Sequence, residues 1–229
     1  MESLDGFPIQ LSLEDTLARL RIDKQRAEKL QANEIFKMAL SLIHPRALFV
    51  PVPVTGRTGG TVSIGTADFT SRILAKNLDG RRTVFPYVLT IGEALETEAR
   101  ASTSVAGQFL LDELGNTAIE SSINHLQSTI SQEYGLKIIS HMSPGQLDWS
   151  ISQQRELFSL FGNVEDAIGV RLTDSLLMIP RKSVSGIMFP TEVPFVSCQL
   201  CRRPGCASRK APYDEDAGKR YATESVQGC

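Results

Sequence analysis

The sequence has little of the features that mark several specialised classes of protein. Lys and Arg together number 24, against 26 Asp and Glu, which gives a net charge of -2 at pH 7. This balance provides no strong positive field for a phosphate backbone, so we expect no nucleic acid partner. No run of about 20 apolar residues occurs, and the N-terminus has no basic region followed by an apolar one. We therefore expect no membrane partner and a cytoplasmic location.

Cysteine is missing from the first 197 residues, because all four cysteines lie at or beyond Cys198. A disulfide-stapled core would distribute them through the chain, so this class of fold is excluded. The cysteines instead mark a separate segment at the end of the sequence. We predict an N-terminal extension (1–11), one main domain (12–192) and a cysteine-containing C-terminal tail (193–229).

Two common catalytic motifs are also missing. The glycine-rich stretch 56–60 is not followed by Gly-Lys-Ser/Thr, so it is interpreted as a turn rather than a phosphate loop. No Gly-x-Ser-x-Gly occurs, and the three histidines have no evident nucleophile partner. An independent hydrolase is therefore not favoured.

The patterns that are present predict an α+β fold with a largely antiparallel sheet and packed helices. Ser12 is placed to cap a first helix. Helical periodicity covers 94–110 and 114–134, and these two helices should pack together. Pro51 and Pro53 favour an edge strand at 47–54. Further strands are predicted at 61–64, 84–91, 136–142, 170–172 and 183–189, the last two as a pair around the turn at 180–182.

Two segments then stand out as specific. Residues 141–149 read HMSPGQLDW and are followed by Gln153, Leu157 and Phe158, and residues 168–186 read IGVRLTDSLLMIPRKSVSG. Together they resemble consecutive segments of the activation domain of cobalamin-dependent methionine synthase. Weaker similarity extends back through 112–120 and 89–96, so the resemblance covers about residues 12–190. It implies a helmet-shaped α+β fold for the main domain.

The resemblance also implies a function. Such domains bind S-adenosylmethionine and dock on a cobalamin carried by a partner, so that inactive cobalt(II) is reduced and remethylated. We expect an accessory protein for a corrinoid methyltransferase such as methionine synthase, together with an electron donor, rather than a complete enzyme with catalytic residues of its own. No Asp-x-His-x-x-Gly signature for ligating cobalt occurs in the sequence, which is consistent with a cobalamin carried by the partner.

The residues that match the family's ligand positions are Glu120, Ser143, Pro144, Gly145, Ser185, Gly186 and Phe189. Proline fixes the chain and glycine allows close backbone approach to a ligand, although any tight turn uses the same residues. Glu120 has two possible roles: its carboxylate faces the sulfonium of the ligand, or it is an ordinary solvated glutamate on a helix surface. The strand at 183–189 likewise has two possible roles: its residues line the ligand, or they fill the hydrophobic core.

The sequence departs from the family at two positions. Methionine synthases have arginine where this chain has His141, and tyrosine where it has Gln146. Arginine offers a permanent bidentate fork to a carboxylate, whereas histidine offers at most two donors and is only partly charged near neutral pH. Loss of tyrosine removes an aromatic face that could lie near the corrin.

Three thiols of the tail, Cys198, Cys201 and Cys206, lie within nine residues. A C-x2-C pair with a third thiolate suits zinc or an iron–sulfur cluster, and nearby Arg202, Arg203 and Arg209 favour thiolate over thiol. A redox dithiol and plain reduced cysteines are the alternatives, and a fourth ligand is not evident. A cluster here could deliver the electron that cobalt(II) requires. A second functional hypothesis is therefore a metal- or iron–sulfur-binding interaction module for a corrinoid protein that no longer binds S-adenosylmethionine.

Overall fold

The structure is a computed structural model that describes residues 1–206 and 209–222. The chain forms two compact units, each built from three stretches of sequence. The first unit comprises Met1–Phe49, Tyr87–Ile130 and Phe161–Val184, and the second comprises Val50–Pro86, Ser131–Leu160 and the described residues from Ser185 onward. The described part of the tail thus belongs to the second unit. The domain boundaries after residues 11 and 192 stay a prediction.

Helices and strands alternate irregularly along the chain. The helices are α1 (Leu13–Arg19), α2 (Lys24–Lys29), α3 (Ala32–Leu42), α4 (Arg72–Asn77), α5 (Ala94–Ala101), α6 (Val105–Glu133), α7 (Gln154–Ser159), α8 (Val164–Ile168) and α9 (Glu215–Ala222). The strands are β1 (Glu2–Asp5), β2 (Arg46–Phe49), β3 (Val52–Thr58), β4 (Thr61–Ile64), β5 (Ala67–Thr70), β6 (Thr83–Thr90), β7 (Ile139–Met142), β8 (Arg171–Leu172), β9 (Met178–Ile179) and β10 (Ser183–Pro190). Elements β6, β10 and α6 have residues in both units.

Side-chain caps begin several of the helices. Ser12 accepts a hydrogen bond from the amide of Asp15 at 3.1 Å, as the sequence predicts for the start of α1. The side chains of Asp23, Ser71 and Asn163 cap α2, α4 and α8 in the same way. These caps satisfy amide groups that have no partner within the helix.

In the first unit, β2 is paired on both sides. Glu2 lies opposite Phe49 in the antiparallel pair of β1 and β2, and Arg46 lies opposite Thr90 in the pair of β2 and β6. The predicted edge strand at 47–54 is therefore wrong: it is two strands, and the first is not at an edge. The polar sequence of β1 (ESLD) gives no apolar signal that would have identified this partner.

In the second unit, β3, β4 and β5 form an antiparallel meander, which includes the predicted hairpin at 61–64. The strand β7 pairs with β10, so that Ile187 lies opposite Met142. The predicted pairing of 170–172 with 183–189 is wrong, since Arg171 of β8 lies opposite Ile179 of β9 instead. Only tertiary contacts decide between such short apolar segments.

Each unit has its own apolar core. In the first, α3, α5 and α6 bury a cluster that includes Ala39, Leu95 and Leu114. The predicted helices at 94–110 and 114–134 have the wrong boundary, because the helix breaks after Ala101 and α6 runs without interruption through 110–114. A Cβ on Gly115 of α6 would lie 3.2 Å from Leu95 Cδ2, so glycine permits the close approach of α5 to α6. In the second, the buried ring of Trp149 meets Phe69 edge-on, with 5.7 Å between ring centroids. The α+β prediction with antiparallel strand pairs is confirmed. No helix among the described residues has the length and apolar character needed to cross a membrane.

Candidate functional site

A tight turn follows β7 and carries the Ser-Pro-Gly motif. The amide of Gln146 donates to Ser143 O at 3.1 Å, and the amide of Gly145 donates to Trp149 O at 2.8 Å. Gly145 has a φ of +88°, a conformation that favours glycine. A Cβ at this position would lie 3.4 Å from Ile151 Cδ1. Residues 143–149 therefore form a compact loop, which we call the Ser143 loop.

The pairing of β7 with β10 brings two of the predicted ligand segments together. Because Met142 lies opposite Ile187, the Ser143 loop leaves β7 where Ser185 and Gly186 of β10 come next in the register. Ser185 is 2% exposed. Phe189 is fully buried and packs near Phe195, with 6.3 Å between ring centroids. Phe189 thus fills the core, the simpler of its two interpretations.

Buried polar atoms of the Ser143 loop lack partners within the described part of the chain. Ser143 is 9% exposed, and its hydroxyl oxygen has no hydrogen-bond partner there. The indole Nε1 of the buried Trp149 also has no hydrogen-bond partner among the described residues. Buried polar groups are usually satisfied, so an orphaned hydroxyl is a physical sign of a ligand or of an ordered water.

His141 does not replace the family's arginine as a cation. Partial burial, together with the positive charge of Lys210, lowers the pKa of His141 to about 4. The imidazole is therefore neutral near pH 7 and offers no permanent charge to a carboxylate. Gln146 is also engaged locally, since its side-chain oxygen accepts from the amide of Ser143 at 3.2 Å.

Two motif residues that the sequence did not single out as functional hold the fold together. The carboxylate of Asp148 accepts from the hydroxyl of Ser71 and from the amide of Arg72, the latter at 2.9 Å, and so fixes the start of α4. The side chain of Gln153 pairs with both main-chain groups of Thr70. The sequence signal that could have identified them is their position, since Asp148 lies within the HMSPGQLDW segment and Gln153 lies just after it.

Glu120 belongs to the first unit and lies on α6. Its carboxylate forms an ion pair with Arg19 of α1 at 3.1 Å, and Arg19 also reaches Glu113 at 3.4 Å. These contacts raise the pKa of Arg19. Arg19, Glu120 and His125 line a largely polar cavity of about 470 Å³. Sequence patterns did not single out Arg19, since an exposed helix arginine is common.

The three thiols of the tail lie in the second unit and are half-buried and free. Within residues 1–206 and 209–222, no group of three His, Cys, Asp or Glu side chains is arranged to hold a metal ion. The guanidinium of Arg209 donates to Cys198 O at 3.0 Å and to Cys201 O at 3.1 Å. The amide of Lys210 donates to Cys198 Sγ at 3.4 Å. The main chain around the thiols is thus organised by Arg209, and the expectation of a metal centre is not confirmed.

Comparison with known proteins agrees with this architecture. The fold is similar to a solved structure described as the MetH reactivation domain bound to AdoHcy, with a TM-score of 0.56 and 15% identity. The alignment covers 100% of this chain and 91% of that one. Residues 144–195 match the family described as vitamin B12 dependent methionine synthase, activation domain. The chain thus shares the fold of that reactivation domain, and its segment 144–195 matches the activation-domain family in sequence. No curated protein matches it.

Proposed function

We propose that this protein reactivates a cobalamin-dependent methyltransferase such as methionine synthase. In this role it binds S-adenosylmethionine and docks on the cobalamin of the partner. An electron donor reduces cobalt(II) to cobalt(I), and the cobalt then takes the methyl group from the sulfonium, which leaves S-adenosylhomocysteine. The observation that carries the proposal is that the family match, 144–195, contains residues 144–149 of the Ser143 loop and all of β10, two segments that the β7–β10 pairing brings together.

The Ser143 loop has the features that a ligand of this type requires. The orphaned hydroxyl of Ser143 can donate to a ligand oxygen or nitrogen, and Gly145 allows close approach to the backbone. These two residues fit S-adenosylmethionine. The neutral His141 does not fit the role of a permanent cation for the methionyl carboxylate, so we expect weaker binding than an arginine would give.

Glu120 is the proposed partner of the sulfonium. Its carboxylate is already paired with Arg19, and the pair is partly exposed. An exposed ion pair contributes little to stability, so a cationic ligand can compete for the carboxylate at small cost. The cavity that Arg19 and Glu120 line supports a binding role for this carboxylate.

The first test is calorimetric titration with S-adenosylmethionine, followed by a reactivation assay. The assay uses the cobalt(II) form of a methionine synthase fragment without its activation domain, a chemical reductant, and absorption spectroscopy to follow methylcobalamin. We expect methylcobalamin to form only when this protein and S-adenosylmethionine are both present. Absence of heat, together with absence of thermal protection at millimolar S-adenosylmethionine, would contradict the proposal.

Two glycine variants provide a matched control. Gly145 and Gly162 both have positive φ, of +88° and +71°, so alanine at either position costs a similar backbone strain. No heavy atom of the described residues lies within 4 Å of a Cβ at Gly162. We expect G145A to lose S-adenosylmethionine binding and G162A to keep it. Equal affinity of the two variants would place the ligand away from the Ser143 loop.

We propose the metal-binding interaction module as the second function, because the neutral His141 weakens the case for S-adenosylmethionine. The support is the concentration of Cys198, Cys201 and Cys206 in a segment held by Arg209. The thiols would have to move together to share one metal ion. Iron and zinc analysis of anaerobically purified protein, with visible absorption spectra, tests this role. A metal that is retained by wild type and lost in C198A would support it, and metal-free protein would contradict it.

A further inference from the structure

A second cavity, of about 750 Å³, lies in the second unit, and we call it the tail cavity. Its walls are the end of α4 and the turn after it, residues 191–195 beyond β10, Gln199 and Leu200, and α9. None of the residues that the sequence marked as ligand positions lines it. Its volume suits a small organic molecule rather than a single ion.

Two buried donors belong to residues that line the tail cavity and have no hydrogen-bond partner within the described residues. One is Nδ2 of Asn77, and the other is Nε of Arg81. The hydroxyl of Tyr221 donates to Oδ1 of Asn77 at 2.5 Å, which fixes the amide with Nδ2 as the remaining donor. Burial raises the pKa of Tyr221, so this hydroxyl keeps its proton at neutral pH. Both orphaned donors therefore require an acceptor.

The charges at the tail cavity favour an anion as that acceptor. The cations are Lys76, Arg81 and Arg220, and the anions are Asp79 and Glu192. Both acidic residues and the cations Lys76 and Arg220 are exposed to solvent, and Arg220 also pairs with Asp214 at 3.8 Å, whereas Arg81 is half-buried. Water screens exposed charges more strongly than buried ones, so the interior of the cavity is positive.

An aromatic wall lies beside these charges. The rings of Phe195 and Tyr221 lie 5.8 Å apart between centroids, and Lys76 Nζ lies 5.7 Å from the centroid of the Tyr221 ring. The apolar residues Val193, Pro194 and Leu200 complete this side. A flat apolar group can pack here while its charged end reaches Asn77 and Arg81.

From this arrangement we propose that the tail cavity binds a small aromatic anion. The phosphate or carboxylate of the ligand accepts hydrogen bonds from Asn77 Nδ2 and Arg81 Nε, and its ring packs against Phe195 and Tyr221. This site is independent of S-adenosylmethionine binding at the Ser143 loop. Part of its wall, including Arg220 and Tyr221, lies outside the family match at 144–195.

Titration of the ¹⁵N-labelled protein with phenyl phosphate tests the proposal by nuclear magnetic resonance. The Nε–H signal of Arg81 and the side-chain amide signal of Asn77 report directly on the two donors. We expect saturable shifts of both signals at millimolar phenyl phosphate. Inorganic phosphate should bind more weakly because it lacks the ring, and benzyl alcohol should bind more weakly because it lacks the charge.

A charge-matched control distinguishes loss of binding at the tail cavity from a general effect of added negative charge on the protein. N77D keeps the acceptor for Tyr221 but replaces the donor with a negative oxygen, so we expect at least about tenfold weaker binding. R81Q should weaken binding to a similar extent. N33D makes the same charge change at an exposed residue of the first unit and should bind as wild type. The proposal is overturned if neither donor signal shifts, if benzyl alcohol binds as tightly as phenyl phosphate, or if N77D and R81Q both bind as wild type.

Discussion

The buried hydroxyl of Ser143 has no hydrogen-bond partner in the described part of the chain. The buried hydroxyl of nearby Ser140 does have a hydrogen-bond partner. The oxygen of Ser140 accepts from the amide of Phe195 at 2.8 Å. An unsatisfied buried polar group costs about 1–3 kcal/mol, whereas a satisfied one is close to neutral or stabilising. The two serines therefore allow a paired test of what the orphaned hydroxyl is for.

We expect S143A to raise the free energy of unfolding by about 1 kcal/mol, because the substitution removes an unsatisfied group. The same variant should bind S-adenosylmethionine about tenfold more weakly, since a hydrogen bond to the ligand is lost. Denaturant unfolding and calorimetric titration measure the two effects. S140A is the control and should lower stability, because it leaves the amide of Phe195 without its acceptor. A loss of stability in S143A would show that its hydroxyl is satisfied by the protein.

His141 makes stability depend on pH. Its pKa of about 4 in the folded state lies below the ordinary histidine value of about 6.5, so the unfolded state binds the proton more readily. The contribution is fully present above pH 6.5 and is lost as the pH falls toward 4. It amounts to at most about 3 kcal/mol. We expect H141Q to show a shallower decline in stability between pH 6.5 and 4 than wild type.

Urea unfolding of wild type and H141Q at a series of pH values measures this difference. H44Q is the control, because His44 is exposed and contacts Asp5 at 2.7 Å on the surface. Parallel curves for wild type and H141Q would mean that His141 titrates normally in the folded protein.

Among the elements, α4 depends on a residue of the Ser143 loop. Asp148 accepts hydrogen bonds from Ser71 and from the first amide of α4, where a negative charge also interacts favourably with the helix dipole. The Asp-Trp pair of the motif therefore has a structural role in addition to any ligand role. The tail cavity begins at the other end of the same helix.

We expect D148A to lower the free energy of unfolding by about 2–3 kcal/mol, because it removes charge-assisted hydrogen bonds from the Ser71 cap and from the first amide of α4. The carboxylate of Asp68 is exposed and accepts from the nearby Ser63 hydroxyl at 2.5 Å. D68A is thus the control, with an expected loss below about 1 kcal/mol. Thermal and urea denaturation compare the variants, and equal losses would contradict the structural role of Asp148.

For the whole molecule, the proposed function predicts stabilisation by ligand. A ligand present at one hundred times its dissociation constant adds about 2.7 kcal/mol to the free energy of unfolding. For a chain of this length, the melting temperature then rises by about 5–10 °C. We expect this rise with S-adenosylmethionine in differential scanning calorimetry. Methionine and adenosine, each added alone, are the controls, and an equal rise with adenosine alone would contradict recognition of the methionyl group.

Much of the architecture could be predicted from local patterns. The cap at Ser12, the hairpin at 61–64 and the activation-domain likeness of the Ser143 loop all follow from residues close together in sequence. The partner of β2 could not be predicted, because β1 has a polar sequence that resembles a loop. The pairing of β8 with β9 was missed because two-residue strands carry no periodicity.

The sequence alone determined the α+β class, the Ser-Pro-Gly turn and the confinement of cysteine to the tail, because composition, capping and turn chemistry act over a few residues. The tertiary structure decided that His141 is neutral, that the Ser143 hydroxyl lacks a partner in the described chain, and that Asn77 and Arg81 meet Tyr221 at one cavity. These properties depend on burial and on contacts between residues far apart in sequence. Desolvation and hydrogen-bond satisfaction exist only once the chain has folded.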